Sequence, residues 1–147
     1  MKNIRLLWVD DEYVPHQEEP HANYLWYYHS SMVTAGFAVD HAAGPDGVLK
    51  RLRKGPKYQG LLLDIILPPE EAYSKADHRG WRLTGVLLAE AISKLHRDLP
   101  IIVLTNSKNE EAWHRLRRIK QVKEILSKPD CTPGDLIARL REVLGVE

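Results

Sequence analysis

The chain has 147 residues and an ordinary globular composition, which suits a single domain. Its 21 basic and 20 acidic residues leave a formal charge of +1, so the bulk charge gives no general attraction to nucleic acid. One cysteine excludes an internal disulfide, and the sequence shows no N-terminal signal and no long apolar stretch. We therefore expect a single cytoplasmic domain over residues 1–147, without membrane insertion or direct nucleic-acid binding.

Short apolar runs alternate with helical patterns along the whole chain. In chain order, the pattern predicts a strand over residues 4–9, a helix over about 18–35, a strand over 37–42, a helix around 48–52, a strand within 61–67, a helix over 87–95, a strand over 99–104, a helix over 110–119, a strand over 122–127 and a helix over 133–144. Such an alternation is typical of parallel strands joined by right-handed crossovers. The predicted fold class is α/β, a doubly wound three-layer (βα)5 sheet.

Helix boundaries and one long loop complete the prediction. Thr132, Pro133 and Asp135 form a start signal for the last helix, and Thr84 is the predicted cap of the third. Residues 69–84 form an irregular polar segment, longer than most loops inside a compact domain. We expect it to be either a lid or a partner-selecting surface near the functional site, or an exposed elaboration.

Residues suited to phosphoryl chemistry follow four of the predicted strands. They are Asp10 and Asp11, Asp64, Thr105, and Lys128. In an open parallel sheet, ligands bind beyond the carboxyl ends of the strands, where the strand order reverses. We therefore expect these side chains to share one pocket.

Three carboxylates in one crevice repel one another unless a cation lies between them. Mg²⁺ suits such a cluster, because it prefers oxygen ligands and binds one or two carboxylates together with phosphate oxygens. Lys128 and the Thr105 hydroxyl would then stabilise a phosphoryl group. Because a carboxylate can also act as a nucleophile, Asp64 is the predicted phosphoacceptor.

Four short motifs in this order resemble the receiver domain of two-component response regulators, the CheY-like family. They are VDDE at 9–12, DIILP at 64–68, LTNS at 104–107 and SKP at 127–129. Each motif alone is weak, whereas the ordered set is specific and spans nearly the whole chain. The resemblance implies a flavodoxin-like strand order of 2-1-3-4-5.

The resemblance also implies roles for individual residues. Asp64 would accept a phosphoryl group from a histidine kinase or phosphotransfer protein, with Thr105 and Lys128 on the phosphoryl group. Asp11, Asp64 and the backbone carbonyl of Ile66 would bind Mg²⁺, with Asp10 acting mainly through water. Output would pass to an effector protein or a homodimer, with the surface of helix 4, strand 5 and helix 5 as the expected contact. The protein would not be an enzyme beyond its own phosphotransfer and dephosphorylation. The resemblance makes the Lys128–Pro129 bond a candidate for the cis form.

Three features depart from the family pattern. Asn106 replaces a small residue after the strand-4 threonine, Ile125 occupies a position that is commonly aromatic, and residues 69–84 exceed the usual loop by about a dozen residues. These departures leave open a receiver-like interaction module that works without phosphorylation. A phosphatase of the haloacid dehalogenase type is a third hypothesis, to which Asp10, Asp11 and Glu12 fit loosely.

Overall fold

The computed structural model describes residues 3–13 and 24–146. Within them, five strands form one parallel sheet with the order β2-β1-β3-β4-β5. The strands are β1 (Arg5–Val9), β2 (Ala38–Ala42), β3 (Gly60–Leu63), β4 (Ile101–Thr105) and β5 (Val122–Ser127). The predicted flavodoxin-like fold class is confirmed.

Five α-helices connect and follow these strands in the described part of the chain. They are α1 (Leu25–Thr34), α2 (Pro45–Lys54), α3 (Thr84–Leu95), α4 (Glu110–Arg117) and α5 (Pro133–Leu144). The predicted start of α5 is confirmed, because Thr132 and Asp135 form a reciprocal capping box. The first half of the predicted 18–35 helix falls partly outside the described residues.

Side chains of the strands alternate between two apolar clusters, one on each face of the sheet. In β1, Leu7 and Val9 enter the cluster beneath α2, α3 and α4, whereas Leu6 and Trp8 enter the cluster beneath α1 and α5. All four side chains are buried. This burial on both faces explains why the strands read as continuous apolar runs in the sequence.

The register of the central strands brings the strand-end carboxylates together. Val9 is paired with Leu63 of β3, and the amide of Asp64 donates to the Val9 carbonyl at 3.0 Å. Asp10 and Asp64 therefore leave adjacent strands at the same level. The two residues therefore lie beyond the carboxyl ends of neighbouring strands, where the alternation of strands and helices predicted the crevice of the sheet.

Two local predictions were wrong. Thr84 does not cap α3: it is the first helical residue, and the Ile65 carbonyl instead accepts from the Gly85 amide at 2.8 Å. The Lys128–Pro129 peptide bond is trans, as is every bond among the described residues. Whether Thr84 caps α3 depends on how the chain packs. Packing also decides the isomer of the Lys128–Pro129 bond, because the intrinsic preference for trans over cis before proline is only about 0.5–1 kcal/mol.

The Thr84 hydroxyl is buried and makes no hydrogen bond with the described residues. We expect Thr84→Val to raise the free energy of unfolding by about 1 kcal/mol, because it replaces an unpaired polar atom with a methyl group. The same substitution at Thr132, which caps α5, should lower stability by about 1 kcal/mol. Urea unfolding of both variants measures the two changes, and a loss of stability in Thr84→Val would contradict the first.

The long segment over residues 69–84 is fastened to the domain. The Glu70 carboxylate accepts from the Asp46 amide at 3.0 Å, and the Asp46 carboxylate in turn accepts from the amides of Glu71 and Ala72 at 3.2 and 2.9 Å. Farther along, Arg79 forms an ion pair with Glu111 of α4 at 3.0 Å. The segment thus joins α2 to α4 across the face that carries α3.

No helix in the described part of the chain is long and apolar enough to cross a membrane.

Candidate functional site

Four strands bring the predicted site residues to one edge of the sheet. Asp10 follows β1, Asp64 follows β3, Thr105 ends β4, and Lys128 follows β5 as the first residue of a short 3-10 turn, Lys128–Asp130. Their side chains are in direct contact with one another, as the distances below show. The structure therefore brings these four side chains together in one cluster, and their roles stay predictions.

The Lys128 ammonium bridges two carboxylates. Its Nζ donates to Oδ2 of Asp10 at 2.8 Å and to Oδ2 of Asp64 at 3.0 Å. The residues are nearly inaccessible, with relative exposures of 5% for Lys128, 0% for Asp10 and 5% for Asp64. Because a buried charge is tolerated when it is paired, the three side chains stabilise one another as a unit.

The other carboxylate oxygen of Asp64 is held by neutral donors. The Thr105 hydroxyl donates to Asp64 Oδ1 at 2.6 Å, and the amide of Ile65 donates to the same oxygen at 2.7 Å. Donors therefore engage both oxygens of the carboxylate. This arrangement fixes the orientation of the Asp64 side chain.

Burial and neighbouring charges shift the pKa values of both Asp64 and Lys128. Burial raises the pKa of Asp64, and the nearby charge of Asp10 raises it further, while Lys128 and the Thr105 hydroxyl act in the opposite sense. Burial alone would lower the pKa of Lys128, but the charges of Asp64 and Asp10 outweigh it and raise that pKa above its ordinary value of 10.5. Lys128 therefore carries its positive charge throughout the physiological pH range.

A third carboxylate completes an oxygen-rich cluster. One carboxylate oxygen from each of Asp10, Asp11 and Asp64 lies within 4.8 Å of the others. Burial and the charge of Asp10 raise the pKa of Asp11, whose side chain is partly exposed. The donor set fits a hard divalent cation such as Mg²⁺, because all three ligands are carboxylates and a cation would relieve their mutual repulsion.

Two of the predicted metal ligands differ in their surroundings. Asp10 uses Oδ2 for Lys128 and accepts the Glu12 amide on Oδ1 at 2.9 Å, so both of its oxygens already have partners. Ile66 lies two residues beyond Asp64 with 38% of its surface exposed. The indirect role of Asp10 and the coordination by the Ile66 carbonyl stay predictions.

Residues that the sequence analysis did not assign support the site from behind. The Tyr28 hydroxyl of α1 lies 3.2 Å from the Lys128 carbonyl and 2.5 Å from the Cys131 carbonyl, which holds the turn that presents Lys128. Burial raises the pKa of Tyr28 to about 12. His41 of β2 donates from Nε2 to the Asp10 carbonyl at 2.7 Å. In the sequence, Tyr28 and His41 look like ordinary helix and strand residues, so no signal distinguishes them.

Gly85 lets α3 begin directly against the residues that follow β3, Asp64 and Ile65. A Cβ at this position would lie 2.4 Å from the Asp64 carbonyl oxygen and 2.5 Å from Cα of Ile65. Only glycine permits this approach of two backbones. The position of Asp64 thus depends on a residue that carries no side chain.

We expect Gly85→Ala to lower the free energy of unfolding by about 1–3 kcal/mol, since the methyl group meets rigid backbone. Gly47→Ala, inside α2, is the matched control, because its Cβ would lie 3.4 Å from Ala42 Cβ, an ordinary contact. That control should gain about 0.5–1 kcal/mol. Thermal unfolding of the two variants compares them, and equal changes of the same sign would contradict the prediction.

The two point departures from the family pattern occupy different surroundings. The Asn106 amide donates to the Tyr24 hydroxyl at 3.3 Å, which links the loop after β4 to the residue before α1. Ile125 is partly buried and packs against the cluster beneath α2, α3 and α4. Asn106 therefore contacts the residues flanking the site, whereas Ile125 contributes to the core.

Solved structures show the same architecture. A response regulator receiver domain protein (CheY-like) from Methanospirillum hungatei JF-1 has a TM-score of 0.74 at 23% identity, with 98% of this chain and 95% of that chain covered. This chain has the receiver-domain fold. The chemotaxis response regulator CheY4 of Vibrio cholerae gives a TM-score of 0.68 at 19% identity over 97% of this chain and 99% of that one. The receiver domain of Francisella response regulator 1452 gives 0.70 at 17% identity, with coverages of 97% and 98%.

No family model and no curated protein matches the sequence. The predicted resemblance to receiver domains is confirmed by the solved structures at the level of the fold. The 69–84 segment lies between β3 and α3.

Proposed function

We propose that this protein is a phosphoacceptor of two-component signal transduction that is phosphorylated on Asp64. One observation carries the proposal: the Asp64 carboxylate stands at the edge of the sheet between the Lys128 ammonium and the Thr105 hydroxyl, beside the carboxylates of Asp10 and Asp11. These are the groups that an in-line phosphoryl transfer requires, namely a nucleophile, a cation site and donors for the phosphoryl oxygens. The receiver-domain fold supports the same role.

In the proposed reaction, an oxygen of Asp64 attacks the phosphorus of a phosphohistidine. A P–O bond forms, the P–N bond breaks, and the imidazole leaves with the electron pair of that bond and takes up a proton. The product is an acyl phosphate on Asp64, and water later attacks its phosphorus to regenerate the carboxylate. The protein therefore catalyses only its own phosphotransfer and dephosphorylation.

Each neighbouring side chain has a defined task in this reaction. Lys128 lies 3.0 Å from Asp64 and would pair with a phosphoryl oxygen, while the Thr105 hydroxyl would donate to another. Asp11 and Asp64 would hold Mg²⁺, which would neutralise charge on the transferring phosphoryl group. Asp10 would keep Lys128 in place through its 2.8 Å contact.

The partners in the proposal follow from this chemistry. The donor is a sensor histidine kinase or a phosphotransfer protein, and the output is binding to an effector protein or to a second copy of the chain. A cytoplasmic location and a single domain over residues 1–147 stay predictions from the sequence.

Incubation with acetyl phosphate and Mg²⁺, followed by mass spectrometry of a reductively trapped acyl phosphate, tests the proposal. We expect one adduct, on Asp64, that depends on Mg²⁺. An adduct on Asp10 with continuous phosphate release would instead support the phosphatase hypothesis. No adduct from either acetyl phosphate or a phosphorylated kinase would support an interaction module that works without phosphorylation.

A further inference from the structure

Hydrogen bonds connect the proposed phosphoacceptor to a tryptophan on α4. The Thr105 hydroxyl donates to Asp64 Oδ1 at 2.6 Å, and the amide of Ser107 donates to the Thr105 oxygen at 3.1 Å. The carbonyl of Ser107 then accepts from Nε1 of Trp113 at 2.9 Å. Three consecutive bonds thus run from the acceptor carboxylate to an indole ring.

This arrangement determines the direction of the Thr105 hydroxyl. A hydroxyl has one proton to donate and lone pairs to accept with, and here the Ser107 amide occupies the accepting side. The proton is therefore directed at Asp64. Thr105 and Ser107 are both buried, with exposures of 0% and 6%, so water does not compete effectively for these groups.

Ser107 is also fastened to the start of α4. Its hydroxyl oxygen accepts from the Asn109 amide at 3.2 Å, and the Asn109 side chain caps α4 by accepting from the Ala112 amide at 2.9 Å. The loop between β4 and α4 is therefore a hydrogen-bonded unit that α4 holds at both the cap and the indole. A change at Trp113 reaches Thr105 through this unit.

Trp113 has room to respond. Trp113 lines two clefts, one of about 820 Å³ that Ser127 and Asp130 also line, and one of about 260 Å³ beside Ile125. The Arg117 guanidinium lies 5.5 Å from the ring centroid. Trp113 is thus partly buried beside open space, and the Ser107 carbonyl is the hydrogen-bond partner that orients its ring.

We propose that Trp113 is a positioning residue that holds the Thr105 hydroxyl toward Asp64 through Ser107. The proposal deepens the proposed function and rests on it. Energetic coupling between two sites is reciprocal. The factor by which the Trp113 hydrogen bond favours the phosphorylated state of Asp64 is therefore also the factor by which a phosphoryl group on Asp64 changes the equilibrium constant of that hydrogen bond. The α4 face beside β5 thereby responds to the state of the acceptor without an aromatic residue at position 125.

A double-mutant cycle with Trp113→Phe and Thr105→Val tests the coupling. Phe retains most of the packing but lacks the N–H donor, and Val retains the shape of Thr without its hydroxyl. We expect Trp113→Phe to slow phosphorylation by acetyl phosphate and Mg²⁺ about threefold to tenfold, the effect of one hydrogen bond. In the Thr105→Val background, the same substitution should change the rate less than twofold, by roughly the scatter of independent sites.

Trp81→Phe is the control, because that tryptophan is 43% exposed on the 69–84 segment and should leave the rate unchanged. Equal slowing by Trp113→Phe in both backgrounds would show a merely structural role and overturn the proposal. An unchanged rate in the single variant would also overturn it. Circular dichroism and thermal unfolding establish that each variant is folded.

A measurement without phosphate separates this proposal from the proposed function. In ¹H–¹⁵N spectra, the indole resonance that Trp113→Phe removes belongs to Trp113, and we expect Thr105→Val to shift that resonance and to speed its exchange with solvent. The other indole resonances should stay in place. If Thr105→Val shifts the Trp113 resonance in a protein that acetyl phosphate does not modify, the hydrogen-bonded coupling of Trp113 to Thr105 is retained and only the phosphoacceptor role is rejected. If the resonance does not shift, the coupling of Trp113 to Thr105 is rejected.

Discussion

Asp64→Asn is expected to abolish phosphoryl acceptance and, at neutral pH, to raise the free energy of unfolding of the metal-free protein by on the order of 1 kcal/mol. The loss follows because an amide is not a nucleophile for this transfer. The gain follows because burial raises the pKa of Asp64, so the folded state tolerates the ionised carboxylate less well than the unfolded state does. On the proposed function, the Asp64 carboxylate is thus kept at a cost in stability.

The pH dependence gives this prediction its sign. A carboxyl group whose pKa is raised on folding contributes stability below its unfolded pKa, near 3.8, and this contribution is lost as the pH rises through the folded pKa. The advantage of Asp64→Asn over the natural protein should therefore shrink as the pH falls toward 3.8. Urea unfolding between acidic and neutral pH measures this difference.

Asp98→Asn provides the control, since Asp98 is exposed and lies away from the site. It should change stability by less than about 0.5 kcal/mol at every pH. Added Mg²⁺ should raise the melting temperature of the natural protein and of Asp98→Asn, with a much smaller effect on Asp64→Asn. A variant Asp64→Asn that is less stable than the natural protein at neutral pH would contradict the electrostatic argument.

Lys128→Met is expected to lower the free energy of unfolding by about 3–5 kcal/mol, because it leaves two buried carboxylates without their shared cation. Lys128 lies 2.8 Å from Asp10 and 3.0 Å from Asp64, and all three are nearly inaccessible to water. The pKa of Lys128 is raised, so its contribution is complete below the unfolded value near 10.5 and is lost only as the pH rises through the folded pKa. The effect should therefore be full at neutral pH, and phosphorylation should fall as well.

Lys123→Met is the matched control on the same strand, because Lys123 is exposed and should tolerate the change within about 0.5 kcal/mol. Combining Lys128→Met with Asp64→Asn should recover part of the lost stability, since one of the two unpaired charges is then absent. Denaturant unfolding of the two single variants and the double variant measures the coupling. Additive effects in the double variant would show that Lys128 acts without reference to Asp64.

The sequence predicted the elements whose local signals agree with their packing. Buried strands such as β1 read as apolar runs because both faces of the sheet are covered, and α5 reads clearly because Thr132 and Asp135 cap it within four residues. The start of α3 was misread for the opposite reason. The amide of its second residue, Gly85, donates to the Ile65 carbonyl, which is remote in sequence, so Thr84 resembled a cap without acting as one.

The 69–84 segment illustrates a different limit of the sequence. Its length and polarity left three roles open, a lid, a partner-selecting surface or an exposed elaboration. Residues 70–72 exchange hydrogen bonds with Asp46 at the start of α2, and Arg79 forms an ion pair with Glu111. These contacts join residues far apart along the chain. Such contacts produce no periodic pattern in the sequence. They attach the segment to α2 and α4.

The sequence by itself determined the alternation of strands and helices and the residue types at the strand ends, because hydrophobic period and strand-end chemistry are local properties. Only the tertiary structure decided that Lys128 bridges Asp10 and Asp64, that Tyr28 holds the Lys128 turn, and that Ser107 links Thr105 to Trp113. The contacts of Lys128 and Tyr28 join elements separated by other parts of the chain, so their distances depend on sheet register and helix packing. The Ser107 link joins the consecutive elements β4 and α4, and it depends on the conformation of the loop between them. The residue types at the site could be predicted from the sequence, whereas the contacts that connect the site to the rest of the molecule could be identified only in the tertiary structure.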